Sequence, residues 1–282
     1  MAVDITPAGC NDRTIPIIYH VDFMLKIAAF SLALLLSIAT PAAHAKTVFL
    51  VADVWCPYNC AVEAEQPGFL VEIAKKALEK HDINVDYSTL SWDKSIKLAR
   101  KGEYTALAGA STNDAQDFIF PNVEQGWMSM QFYTKADSEW NYVGKKSLAN
   151  VSLGVVKAYA YGPTVDNYIQ YNANNPSLVQ AASGNNALAK NLKKLLNGKV
   201  DVIIEDSNVM AYYLKTHNMQ DKVRVAGRLP VSDQNNLYIA FSPKEKYAKR
   251  YASIVGKEME AMRRNGELQK ILARYGVKDW RR

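Results

Sequence analysis

An α/β fold built as two similar halves is what this 282-residue sequence predicts, on three observations. From Lys46 onward, apolar strand-like runs alternate with helix-periodic runs. The alternation returns in the same order after residue 150. Two corners also match: "RKGEYTALAGA" and "LNGKVDVIIED" each close a helix with a glycine, Gly102 or Gly198, and run a strand into a polar loop. Repeated strand–helix–strand units imply mostly parallel sheets with right-handed crossovers.

In the first half, "TVFLVAD" reads as a strand and "GFLVEIAKKALEKH" as a helix. That helix puts Phe69, Leu70, Ile73, Ala74, Ala77 and Leu78 on one face, with Glu72 and Lys76 spaced to pair on the other. "INVDYSTL" is a second strand, "SWDKSIKLARKG" a helix with Ser91 as its candidate N-cap, and "YTALAGA" a third strand. The second half follows suit: strand "VSLGVVKA", helix from Pro163 to about Tyr171, strand "SLVQAAS", helix "NNALAKNLKKLLNG", strand "KVDVIIED", helix from Ser207 to about His217, strand "KVRVAGR". Residues 126–140 read as an extended crossover between the halves, and 228–243 as a returning strand. Two amphipathic helices broken at Asn265-Gly266 end the chain, with Tyr247, Tyr251, Ile254, Met262, Leu268, Ile271 and Leu272 as apolar positions expected to pack on the first half.

The stretch from Met24 carries Lys26, an apolar run from Ile27 to Ile38 and the ending Ala43-His44-Ala45, the anatomy of a signal peptide cleaved after Ala45. The apolar run is shorter than the roughly 20 residues a bilayer needs. Residues 1–23 hold Asp4, Asp12 and Asp22, which suit a leader poorly, so they read as a start-site artefact. The expected product, residues 46–282, is exported to a periplasm and has a formal charge of +7. Its basic residues are scattered over helical polar faces rather than clustered on one, which argues against a nucleic-acid partner.

With Cys10 lost with the leader or never translated, Cys56 and Cys60 in "VADVWCPYNC" are the remaining cysteines. Their C-x-x-x-C spacing departs from redox C-x-x-C motifs, and an oxidising compartment favours a structural disulfide; a redox-active or reduced pair are the alternatives. His81 and His217 lie far from them in sequence, so no metal or cofactor is expected.

Taken in order, "PGFLVEIAKKAL", "LSWDKSIKLARKGEYTALAGAST", "NGKVDVIIEDSNVMAYYL" and "RRNGELQKILARYGV" resemble the bacterial extracellular solute-binding proteins of family 3, over essentially all of 46–282. The resemblance implies a type II periplasmic-binding-protein fold with a two-strand hinge. Lobe 1 is expected from 46–132 plus 236–282 and lobe 2 from 133–235. It implies a monomer that holds a small polar ligand in the cleft, with an ABC permease complex as membrane partner and no enzymatic turnover. An enzyme of dehydratase type on the same scaffold, or a sensor subunit, are the alternatives.

The strand-end loops of such sheets face the ligand. By the same resemblance, Trp55 stacks on the ligand, Ser111 and Thr112 form the hydroxyl-bearing loop, Tyr159 and Tyr161 supply second-lobe contacts, and Asp206 receives a ligand ammonium. One departure stands out. Amino-acid binders of this family place an Arg just after the Thr-containing loop, where "STNDAQDFIF" offers Asp114 or Ala115 and no basic residue occurs from Ser111 to Gln131. Lys157 is a substitute point charge, while Asp206, Asp114 and Glu205 lean the cleft acidic, towards a cationic or neutral polar ligand.

Overall fold

A computed structural model of the chain describes residues 1–3, 9, 46–232 and 235–281. The chain divides into a unit Met1–His44 and a unit Ala45–Arg282. The few described residues of the first unit are exposed and carry no regular structure; Cys10, the leader and its cleavage point fall outside the described residues. Among the described residues no helix is long and apolar enough to cross a membrane.

Two five-stranded sheets form the second unit. The first contains β1 (Lys46–Ala52), β2 (Ile83–Thr89), β3 (Ala106–Ala110), β4 (Gly126–Trp127) and β10 (Asn236–Phe241), in the order β2-β1-β3-β10-β4. The second contains β5 (Met130–Lys135), β6 (Leu153–Val156), β7 (Val179–Ala182), β8 (Val202–Asp206) and β9 (Val223–Arg228), in the order β7-β6-β8-β5-β9. In each, three neighbouring strands run parallel: β2, β1 and β3, then β7, β6 and β8. The strands that complete each sheet join antiparallel. This is the two-sheet α/β architecture that the alternation of patterns predicts.

The helices are α1 (Phe69–Glu79), α2 (Trp92–Lys101), α3 (Pro163–Tyr171), α4 (Ala187–Leu196), α5 (Ser207–Thr216), α6 (Ala248–Arg264) and α7 (Glu267–Arg274). The face of α1 read from its period is fully buried from Phe69 to Leu78 at the expected positions. Gly102 ends α2 in the left-handed conformation at φ 86°, where a residue with a Cβ is strained. The broken C-terminal pair returns to the first sheet, with Tyr251, Val255, Met259, Leu268 and Ile271 in its core.

Three local expectations are corrected. Glu72 and Lys76 do not pair with each other: Glu72 accepts from Tyr275 and binds Arg274, while Lys76 meets Glu267 at 3.0 Å. Partners from α7 outcompete the i,i+4 neighbour because an exposed helical pair is worth only about 0.3–0.5 kcal/mol. Ser91 occupies the N-cap position, but its hydroxyl turns to Asp93 Oδ1 at 2.6 Å instead of capping. The returning strand is not continuous: β9 stops at Arg228 in the second sheet and β10 starts at Asn236 in the first.

Candidate functional site

The carboxyl ends of β1, β3, β6 and β8 bring four loops from the two sheets face to face. β1 delivers Asp53 and Trp55 into a tight turn, in which Trp55 N–H donates to Asn59 O at 2.6 Å and Tyr58 N–H to Trp55 O at 3.0 Å. Cys56 and Cys60 are bonded to each other across this turn, their Cα atoms 4.7 Å apart. The indole of Trp55 stacks on Tyr58 with centroids 4.4 Å apart, and Tyr58 leans on Phe69 of α1. Closing so short a loop constrains the unfolded chain by about 2 kcal/mol. Reduction is therefore expected to lower unfolding free energy by roughly that amount, measured by urea titration with and without reductant.

Contacts cross directly from one half to the other. Trp55 Nε1 donates to Glu205 Oε1 at 2.8 Å, and Asn208 Nδ2 donates to the Tyr58 hydroxyl at 2.9 Å. The Tyr159 hydroxyl donates to Asp53 Oδ2, and Lys157 meets Asp93 at 3.1 Å. Between these contacts lies a cavity of ≈ 20 Å³ lined by Asp53, Trp55, Asn59, Trp92, Asp114 and Tyr159 among others. That is room for about one water. It adjoins two larger spaces. One of ≈ 340 Å³ shares Asp114, Tyr159 and Ala160 with it, and one of ≈ 200 Å³ shares Met128, Met130 and Ala160.

The candidate residues separate within this geometry. Trp55 and Tyr159 line the small cavity, and Tyr161 lines the ≈ 200 Å³ space while its hydroxyl oxygen accepts from Val156 N–H at 2.8 Å. Ser111 is buried and lines none of these spaces, its N–H and hydroxyl both donating to Asp114 Oδ2. Thr112 is exposed and lines none of these spaces. Asp206 is fully buried and likewise lines none of them. Its carboxylate accepts from Asn208 N–H and Val209 N–H, capping α5, and from Ser129 N–H at 2.7 Å on the crossing between sheets. His81 and His217 sit just beyond α1 and α5 on the surface, and no group able to hold a metal occurs among the described residues.

Sequence reasoning did not put Asp53, Asn59 or Trp92 among the ligand residues. Asp53 stands at the end of a strand, the same signal that singles out Asp206; Asn59 sits in the same turn as Trp55, and Trp92 reaches the cavity only through tertiary folding. Burial dominates the electrostatics of this region. It pushes the carboxyls of Asp53 and Asp206 up to about 6 and that of Glu205 up to about 8, and raises Asp114 as well.

Residues 48–278 match the sequence model of the bacterial extracellular solute-binding proteins, family 3. The chain belongs to that family. Comparison with curated protein sequences finds no match. Among solved structures, this family 3 chain is similar to the arginine-, lysine-, histidine-binding protein of Geobacillus stearothermophilus, at 16% identity and TM-score 0.65, covering 83% of this chain and 97% of that one. It is similar to a structure described for glutathione import in Streptococcus mutans, at 20% identity and TM-score 0.68, covering 82% and 95%. A histidine kinase sensor domain shares the fold at 14% identity and TM-score 0.64, covering 81% and 95%. At these identities the likeness establishes the two-lobed type II fold.

Proposed function

We propose that this chain is an exported solute-binding protein that captures a small polar solute between its lobes and delivers it to an ABC importer in the membrane, without transforming it. Lobe 1 is built on the first sheet and lobe 2 on the second, the chain crosses between β4 and β5 and again between β9 and β10, and the two crossings act as the hinge. The observation that carries the reading is the set of direct contacts across the cleft, Trp55 to Glu205 and Tyr159 to Asp53, around a polar cavity. Domain interfaces are favoured sites for small ligands. Trp55 and Tyr159 contact the solute directly, Tyr161 borders it, and Ser111 orients Asp114 beside it.

The test is uptake. A strain lacking the gene is expected to lose high-affinity import of whichever solute raises the melting temperature of the purified protein, and that solute is expected to be recovered unchanged after incubation. Normal uptake in the deletion strain, or conversion of the solute to product, contradicts the proposal. A sensing role is the second reading, favoured by the shared fold of the histidine kinase sensor domain; it predicts binding with unimpaired uptake and an altered transcriptional response.

A further inference from the structure

The side chains around the small cavity have spent their donors on the protein itself. Trp55 Nε1 donates to Glu205, Trp92 Nε1 to Asp114 Oδ1 at 3.3 Å, and the Tyr159 hydroxyl to Asp53. Asn59 Nδ2 donates to the backbone oxygen of Asp53 at 2.7 Å, which fixes the orientation of the amide, since only the nitrogen can face a carbonyl. What remains are acceptors. Asn59 is 1% exposed, and its Oδ1 has no hydrogen-bond partner. Gly109, at the cavity wall, keeps the space beside that oxygen open: a Cβ there lies 3.1 Å from Asn59 Oδ1. Asp53 and Asp114 add two carboxylates, and no Lys or Arg lines the cavity. The nearby ammonium of Lys157 is turned to Asp93 Oδ2.

Two places in the cleft where backbone N–H groups are positioned to receive an anion are already filled from within. Ser111 N–H at the end of β3 is taken by Asp114 Oδ2 at 2.7 Å. At the N-terminus of α3, where the helix dipole favours a negative charge, Tyr161 N–H and Gly162 N–H are taken by the two carboxylate oxygens of Asp166 at 2.9 and 3.0 Å. A carboxylate on the solute would meet these acids rather than free donors.

We infer that the solute is a primary amine without a carboxylate, its ammonium head seated among Asn59 Oδ1, Asp53 and Asp114. An ammonium offers three donors and no acceptor, the complement of this cavity. Its size also fits: a space of ≈ 20 Å³ has room for about one water-sized group. The aromatic side chains of Trp55, Trp92 and Tyr159 complete the lining. The rest of the solute extends into the adjoining ≈ 340 Å³ space past Asp114 and Tyr159, whose wall mixes Val155, Val156, Ile169 and Ala181 with Asp166, Gln170 and Lys157, the last with its ammonium paired to Asp93. This inference rests on the reading of the cleft as a solute site.

Calorimetric titration of the purified full chain with two matched pairs tests it: agmatine against arginine, and cadaverine against lysine. Members of each pair differ by the carboxylate alone. The decarboxylated member is expected to bind at least tenfold more tightly in each pair, and Asp53→Asn is expected to weaken amine binding at least tenfold. Melting curves of the unliganded variant check that its fold is intact. Should the variant not fold, the wild-type pairs alone decide. Arginine or lysine binding as tightly as its partner overturns the amine assignment and leaves solute capture standing. Amine binding untouched by Asp53→Asn in a folded variant overturns the seat proposed for the head. No heat with these four compounds, or with a set of neutral solutes, dipeptides and organic acids, removes both the amine assignment and solute capture.

Discussion

Asp206→Ala is expected to destabilise the protein by about 2–4 kcal/mol, before any ligand is considered. The buried carboxylate holds three backbone N–H groups, two that begin α5 and one, at Ser129, on the crossing between sheets. Loss of the N-cap costs about 1–2 kcal/mol and leaving Ser129 N–H unpaired about a further 1–3 kcal/mol. Burial penalises the charge of Asp206 and holds its carboxyl up to about 6, which places the total below the simple sum. Asp206→Asn separates the parts. Its Oδ1 can still accept from Asn208 and Val209, but a nitrogen in place of Oδ2 cannot accept from Ser129. It is expected to retain about half of the lost stability in urea unfolding. If Asp206 instead serves chiefly to hold a solute, both variants should unfold like wild type and fail only in binding.

Glu205→Gln is expected to stabilise the unliganded protein at alkaline pH and to leave it unchanged near pH 4. Burial holds the Glu205 carboxyl up to about 8, against an ordinary value of 4.5. Trp55, Asp206 and Asp53 surround it, and the two acids add repulsion to the desolvation. Because the folded state binds the proton more tightly than the unfolded state, folded stability is fully present below about pH 4.5 and falls as pH rises through about 8. The loss is on the order of 3–5 kcal/mol when complete. Glutamine keeps Oε1 as acceptor for Trp55 Nε1 and Asp206 N–H, both at 2.8 Å, and removes the ionisation. Melting temperatures of variant and wild type should therefore coincide in acid and diverge by roughly 10 °C near pH 9. Parallel profiles contradict a buried, proton-holding Glu205. Asp53 and Asp206, each held up to about 6, leave the variant a smaller slope of the same sign.

Much of the fold was legible because its determinants are local. The face of α1, the glycine closing α2 and the break at Asn265-Gly266 are all set by neighbours within one or two turns. Long-range choices were not legible in the same way. Glu72 has a Lys four residues away, yet takes partners from α7 that no sequence period reveals. The site divides along the same line. Trp55 and Tyr159 could be placed at the cleft because each follows a strand. The acceptor character of the cavity could not, since it depends on which donors Trp55, Trp92 and Asn59 spend, and on whom. Asp206 shows an ambiguity of another kind: "DSNV" at a helix start carries the signature of an N-cap, and a strand-end carboxylate carries that of a ligand contact.

The hinge is the premise beneath these readings, and single-molecule energy transfer between the lobes tests it most directly. Lys101, at the exposed end of α2, and Lys193, exposed on α4, lie outside the site and accept dye labels through Lys101→Cys and Lys193→Cys with the Cys56–Cys60 bond intact. We predict that the unliganded protein samples more than one separation and that a saturating concentration of the solute that raises its melting temperature gathers the molecules into the shortest. One fixed separation, the same with and without solute, would contradict capture by closure.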